Sequence, residues 1–392
     1  MTQRLGVVVL ALVALAAAAC TKKKEAKQEE KGGIGAPAGK AGLTIGLVTD
    51  VGGRGDHSFN DSALRGLELW AAGQKYEGGR YVPASEDEVR ASLSEDLRAR
   101  TPAIAPLGVT PLVLQSRAQE DYEPNLQLLV DQGASLIVGV GFMLENAIET
   151  AAKRNPDSKF LLIDSPVLDA QGRPYALPNV RTVVFKEEEG SFLAGALAGM
   201  VAKGGDIAFV GGMEIPLIKK FETGFRAGVR ATRPDTRVLS AYTGSFNNVA
   251  AGKQVAQDLI AKGAKVIFHA AGTDGLGVIQ AVKEARAAGR SVYAIGVDSD
   301  QAHVAPEAVL TSMVKRVDLA IYETARALWA GQFTAGDAAW GLREGGVTLA
   351  PIRLDIPDRE EVLARIEQLR RDVIEGRIRV PATDTELASF QP

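Results

Sequence analysis

The 392-residue chain predicts an α/β fold of two doubly wound parallel sheets forming two lobes. Short β-branched runs alternate with helix-length segments from residue 43 onward, and such alternation places strands in parallel with helices over them. Most of the runs are apolar without interruption, as strands covered on both faces must be. The alternation comes in two successive series, and a body of this length has room for two domains. Two such sheets facing one another describe a ligand clamp.

The first series of strands is expected at 43–49, 111–115, 135–140, 159–164 and 180–185, the second at 206–211, 237–242, 265–270, 291–297 and 309–314. Between them the 3.6-residue periodicity predicts helices over 58–72, 122–132, 143–154, 188–202, 218–231, 249–262, 275–288 and 315–329. Residues 77–106 break the pattern with an acidic cluster (Glu86, Asp87, Glu88) and prolines at Pro83, Pro102 and Pro106. They read as an excursion on the first domain, with a short surface helix near 92–100. After Trp340 come residues 342–356, a helix opened by Pro357-Asp358 and reaching about Ile374, and an extended piece at 376–381.

Ahead of the body, Arg4 gives a positive n-region, residues 5–15 an apolar run, and Ala17-Ala18-Ala19 the small residues that precede cleavage. The run is shorter than the ~20 apolar residues of a spanning helix. The only cysteine, Cys20, follows directly, as in a bacterial lipoprotein signal, although Ala17 stands where that signal most often has leucine. The expectation is a signal peptide over 1–19, an acylated Cys20 and an extracytoplasmic, membrane-anchored protein; an ordinary cleaved signal is the alternative. Residues 20–42 hold one bulky aliphatic, Ile34, and cannot offset their ordering entropy, so they read as a disordered tether. Its lysines (Lys22, Lys23, Lys24, Lys27) either lie near anionic headgroups or are simply solvated.

With Cys20 lipidated no disulfide is available, so stability must come from core packing. The formal charge of −3 becomes −4 once the signal segment with its single Arg4 is removed. A mildly acidic body with scattered arginines has no electrostatic footprint for nucleic acid. His57, His269 and His303 lie far apart and show no ligand spacing, which argues against a structural zinc site. No G-x-S-x-G elbow or Walker A sequence occurs, and Gly272-Thr273-Asp274-Gly275-Leu276-Gly277 has the wrong spacing for a dinucleotide fingerprint.

Open parallel sheets bind ligands at the carboxyl ends of their strands. The first strand runs into Asp50 and then Gly52-Gly53-Arg54-Gly55-Asp56-His57-Ser58-Phe59-Asn60, where Ser58 is placed to cap the next helix. Other strand ends carry Asp164, Asp298 and Lys315, and Phe268 precedes the turn at Gly272. Singly, each reads as well as a helix cap, a turn residue, a core ring or a solvated lysine. Together, carboxylates that bond hydroxyls and N–H groups, with aromatic faces that stack on a flat ring, describe a pocket for a small polar ligand with a planar part, such as a nucleoside. Glu187, Glu188 and Glu189 at a helix start read as partners of the helix dipole. Gly224 and Phe225 read as helix packing.

Several of these stretches are similar to the basic membrane protein family of lipoproteins, which resembles the purine nucleoside receptor of bacterial ABC importers. They are Val48-Thr49-Asp50-Val51-Gly52-Gly53 with Asp56-His57-Ser58-Phe59-Asn60, the run from Phe185 to Gly195, and Phe209 to Pro216. Phe221 to Phe225, Gly296 to Gln301 and Thr311 to Lys315 complete the set in family order. The resemblance implies a type I periplasmic-binding fold with a purine base held between two rings, which fall on Phe59 and Phe268. It assigns Asp164 to the base edge, Asp298 and Lys315 to the ribose hydroxyls, and Asp50, Asn60 and Gly272 to the cleft lining. It further implies an ABC permease as partner, a monomer, no cofactor and no catalysis. The chain departs from the family pattern at Gly55, where a second acid is common, at Asp274 within the glycine turn, and in the longer 77–106 excursion.

The expected hinge has three crossovers, near Phe185, Met313 and Phe333, giving one lobe of 43–185 and 313–333 and another of 186–312 and 334–392. A nucleoside-cleaving enzyme with Asp164 or Asp298 as acid or base, and a ligand-sensing lipoprotein, are the competing readings.

Overall fold

The computed structural model describes residues 42–391 except 94, 100 and 203; the signal segment, Cys20 and most of the tether lie outside them. In chain order the strands are β1 (Thr44–Val48), β2 (Gln74–Glu77), β3 (Arg80–Pro83), β4 (Thr110–Leu114), β5 (Leu136–Val140), β6 (Phe160–Ile163) and β7 (Val180–Phe185). They continue as β8 (Asp206–Gly211), β9 (Val238–Tyr242), β10 (Ala264–Ala270), β11 (Tyr293–Asp298), β12 (Val309–Lys315), β13 (Gly336–Trp340) and β14 (Val347–Leu349). One sheet is ordered β13-β7-β6-β5-β1-β4, the other β14-β12-β11-β10-β8-β9, and β2 and β3 form a separate hairpin. Every pairing in the two large sheets is parallel except the antiparallel edge β12–β14.

The two sheets repeat one topology. Each starts in the middle, sends its second strand to one side and the next three to the other, and gains a late strand at the far edge. The chain therefore reverses direction between β1 and β5 and again between β8 and β10, the switch points where loops part to leave a crevice. Central strands such as β5, β6 and β12 are buried along their whole length, which explains their unbroken apolar sequences.

The chain crosses between the sheets three times, after Phe185, after Lys315 and after Trp340. The crossings lie side by side: the Lys186 N–H donates to the Trp340 carbonyl (3.0 Å) and the Arg316 N–H to that of Gly346 (2.8 Å). The first follows the end of β7 at Phe185. The second comes two residues after Met313, because β12 continues through Lys315, so the following helix is Val317–Trp329. The third is not near Phe333. Residues 336–340 form a half-exposed edge strand of small residues whose sequence carries little strand signal, and that strand extends the first sheet.

The excursion holds the β2–β3 hairpin and short helices at Glu86–Ala91 and Glu95–Ala99. It is tied down by Trp70 Nε1 donating to Ser92 Oγ (2.9 Å) and by Tyr322 Oη donating to the Ala105 carbonyl (2.9 Å). At the end of the chain the expected extended piece is not a strand, and a capping box at Thr383 opens a helix at Asp384–Ser389. Among the described residues no helix is long and apolar enough to cross a membrane.

One hydrophobic cluster runs through both halves, joining Leu47, Val138 and Phe185 to Phe209, Phe268 and Met313. The helices Glu187–Val201 and Pro216–Thr232 pack so closely that a Cβ on Gly228 would sit 1.9 Å from the Phe192 carbonyl oxygen, and one on Gly195 2.0 Å from that of Phe225. Gly228→Ala is therefore expected to lower stability by about 1–3 kcal/mol in a urea titration. His269 on β10 is fully buried, its Nε2 3.0 Å from Gln301 Oε1, and burial pulls its pKa from 6.5 down to about 4. As pH falls through that window the unfolded imidazole takes up a proton that the folded one refuses, so stability drops on acidification. The loss should approach roughly 3 kcal/mol at the acid end, and His269→Gln should flatten that slope in unfolding measurements from pH 7 to 4.

Candidate functional site

The carboxyl ends of the two sheets face each other across a cavity of about 560 Å³, mouth included. Asp50, Phe59, Asn60 and Asp164 line it from the first sheet's side, and Gly272, Asp298 and Lys315 from the second's. Asp164 and Asp298 both have left-handed backbones (φ 70° and 63°), a conformation uncommon outside glycine and concentrated at functional sites.

Phe268 is not among the lining residues. It is fully buried, with its ring 5.1 Å from that of Phe225 and 5.7 Å from that of Phe209. β10 ends at Ala270, where the sequence puts its end, and Ala270 lines the cavity; Phe268 stands two residues deeper in the same strand and serves the core. The ring on that side is Phe246, in the loop after β9, and Phe142 after β5 meets it edge-on at 6.3 Å across the cleft. Both follow strand ends, so the rule used for the other candidates had the power to find them.

Asp274 places Phe246. Its carboxylate accepts from Ser245 Oγ (2.8 Å) and from the Asn248 N–H, clamping the loop on both sides of the ring, while the Thr273 N–H donates to the Phe246 carbonyl (3.0 Å). Gly272 (φ 53°) passes beneath, where a Cβ would lie 3.1 Å from the Phe246 carbonyl oxygen. The departure from the glycine turn at Asp274 thus holds a cleft aromatic in place.

Asp56, not Ser58, caps the helix at Phe59–Leu64. Its carboxylate accepts the N–H groups of Ser58 (2.8 Å), Asn60 (2.7 Å) and Asp61 (3.1 Å). Ser58 Oγ is left free to cross the cleft, donating to Asp298 Oδ2 at 2.7 Å. Asn60 Nδ2 donates to Asp50 Oδ1 (2.7 Å), which also accepts from the Gly52 N–H (2.8 Å).

Lys315 is the centre of charge. Its buried ammonium donates to Asp164 Oδ2 at 2.5 Å, lies 3.8 Å from both Asp298 and Glu187, and sits 4.7 Å from the centre of the Phe59 ring. Burial works against this cation, but the three carboxylates outweigh it and hold its pKa above the ordinary lysine value. Burial raises the pKa of Asp298, with Lys315 and Ser58 opposing, and that of Asp50, opposed by Asn60 and Gly52. Burial likewise raises Glu187, against Lys220 and Lys315; this glutamate braces the lysine rather than a helix dipole alone. Asp164 Oδ1, Asn60 Oδ1 and Thr273 Oγ1 are buried without a hydrogen-bond partner among the described residues. The cavity is therefore rich in acceptors, poor in free cations and flanked by aromatic faces. It suits an uncharged ligand bearing hydroxyl and N–H donors.

Over residues 44–384 the chain matches the family model Bmp, described as ABC transporter substrate-binding protein PnrA-like. The chain belongs to the Bmp family. The CD4+ T-cell-stimulating antigen of Listeria monocytogenes is 32% identical over 351 residues, 86% of this chain and 88% of that protein. The ABC transporter nucleoside-binding protein BmpA of Lactococcus lactis is 31% identical over 356 residues, 88% of this chain and 90% of its own length. Basic membrane protein A of Borreliella burgdorferi is 30% identical over 364 residues, 92% of this chain and 93% of its own. In structure, the ABC transporter solute-binding protein from Aeropyrum pernix K1 superposes with a TM-score of 0.69 at 26% identity, covering 88% of this chain and 96% of that one. The fold of this Bmp protein is that of the periplasmic-binding type, and the family is one of extracytoplasmic substrate-binding proteins.

Lys315→Met should unfold the site, since Asp164 and Asp298 lose their counter-ion and Glu187 keeps only Lys220; a loss of about 3–5 kcal/mol is expected in denaturant melts. Part of it should return when Asp164→Asn is added.

Proposed function

We propose that this protein is the lipid-anchored receptor of an ABC importer, binding a purine nucleoside in the cleft and presenting it to a membrane permease. The observation that carries the reading is the donor-seeking cavity itself: buried acceptors on Asp164 and Asn60 left unpaired beside a neutralised Lys315, with Phe59 and Phe246 on its walls. In this reading the rings of Phe59 and Phe246 sandwich the base. Asp164 takes a ring N–H, Asp298 and Lys315 hold the ribose hydroxyls, and Asp50 with Asn60 closes the floor. Charged acceptors buried in a cavity bond hydroxyls strongly and leave a large penalty when a ligand lacks them. The same carboxylates repel phosphate, so nucleotides are excluded.

Both sheets contribute to the pocket, so a ligand that touches both favours the closed arrangement by its differential affinity, and that closed shape is what a permease would read. Acylation at Cys20 and the tether over 20–42 keep the receptor at the membrane as a monomer. The relative named as nucleoside-binding supports the ligand class.

Calorimetric titration of residues 38–392 with purine and pyrimidine nucleosides, ribose and a nucleoside monophosphate tests the reading, with chromatography of each mixture afterwards. Purine nucleosides should bind, be recovered intact, and outcompete the monophosphate; a cleaved product would show an enzyme instead. Phe246→Ala and Asp298→Ala should each weaken binding at least about tenfold, or 1.4 kcal/mol. Phe268→Ala should instead lower stability by about 3–5 kcal/mol. Unchanged affinity in both cleft variants would sink the assignment.

A further inference from the structure

His57 and His303 are 246 residues apart in sequence, yet His57 Nδ1 and His303 Nε2 lie 3.2 Å from each other. His57 belongs to the loop between β1 and the first helix, on the first sheet's side; His303 ends the turn Gln301–His303 after β11, on the second's. The rings are tilted by 57° with centroids 5.2 Å apart, and both residues are exposed, lining a surface groove separate from the cavity around Lys315. Each is held by its own loop. His303 Nδ1 is 3.1 Å from the Asp300 carbonyl oxygen, and Asp300 is gripped in turn by Arg353 (2.7 Å). The His57 N–H donates to Asp61 Oδ2 (3.0 Å), fixing a left-handed turn at φ 51°.

The tautomers follow. A carbonyl oxygen only accepts, so His303 carries its proton on Nδ1 and aims the Nε2 lone pair at His57. That is the arrangement by which a backbone carbonyl orients a metal-ligating imidazole. Two nitrogens bound to one tetrahedral zinc at about 2.0–2.1 Å lie roughly 3.3 Å apart, which is the separation these rings already have.

We propose that His57 and His303 form a two-histidine site for a divalent transition metal of the zinc, nickel or copper class, clasping the two halves across this groove. The ion takes the place of the N–H···N hydrogen bond. His57 moves its proton from Nδ1 to Nε2, both lone pairs turn to the metal, and no net proton is released. Among the described residues no cluster of three or more His, Cys, Asp or Glu side chains forms a metal site, so water completes the shell. Asp61 and Asp300 line the same groove and accept hydrogen bonds from that water. Because the ligands sit on opposite sides of the groove, metal binding favours closure. By linkage, a cleft ligand and the metal then strengthen each other's binding. That coupling rests on the receptor reading; the metal site does not.

The test is calorimetric titration of the full-length chain with zinc chloride, and of its His57→Ala and His303→Ala variants. All are made in a Cys20→Ser background, since Cys20 is the other soft donor and His269 is buried. One zinc per chain is expected, weakened at least tenfold by either substitution, with metal-free melting unchanged at these exposed positions. Copper in place of zinc should give an electron paramagnetic resonance spectrum of two imidazole nitrogens, falling to one in each variant. Zinc binding equally well to both variants, or a copper spectrum without imidazole nitrogens, overturns the proposal whatever the nucleoside titrations show.

Discussion

The ammonium of Lys315 organises this molecule. Three carboxylates converge on it from three elements: Asp164 after β6, Glu187 at the first crossing, and Asp298 at the end of β11. Each is buried; Asp164 and Asp298 would be strongly disfavoured as anions without that cation, while Glu187 shares it with Lys220. The lysine is itself the last residue of β12, immediately before the second crossing. One charge therefore ties together both sheets, the hinge and the cleft floor. Because Phe59, Asp164 and Asp298 also line the cavity, the group that neutralises the carboxylates at the crossings is the one a ligand meets.

Around that centre the two halves are built alike. Repetition of one strand order gives each sheet a switch point, and the two switch points oppose each other. The walls of the cleft are thus loops that follow buried strands, rigidly placed and free to vary in chemistry. Left-handed backbones at Asp164 and Asp298 aim their carboxylates inward, and the Asp274 clamp aims Phe246. Rigid placement matters because acceptors held in a buried site discriminate sharply between ligands that satisfy them and ligands that do not.

The parallel strands were legible in the sequence because burial on both faces leaves nowhere for polar residues, so each strand announces itself as an apolar run. The edge strand β13 did not, since its half-exposed residues carry no such signature, and β14 is only three residues long. Asp50, Phe59, Asn60, Asp164, Asp298 and Lys315 were legible through their place just beyond those runs. Phe268 lies inside its strand, two residues before the end at Ala270, and a sequence pattern does not tell such a core ring from one at the rim. Phe246 stands four residues beyond the end of β9, in a loop whose path only the Asp274 contacts define. Ser58 has the chemistry of a helix cap, but Asp56 is nearer the N–H groups and takes that role.

By itself the sequence determined the alternation of strands and helices, hence the parallel sheets, and the donors and acceptors gathered at their ends. These follow from local periodicity and from chain direction. Only the tertiary structure decided which aromatic reaches the cavity, where the chain crosses for the third time, and that two histidines distant in sequence meet. Those outcomes depend on distances between segments far apart in the chain, set by how the sheets pack, and no local pattern encodes such a distance.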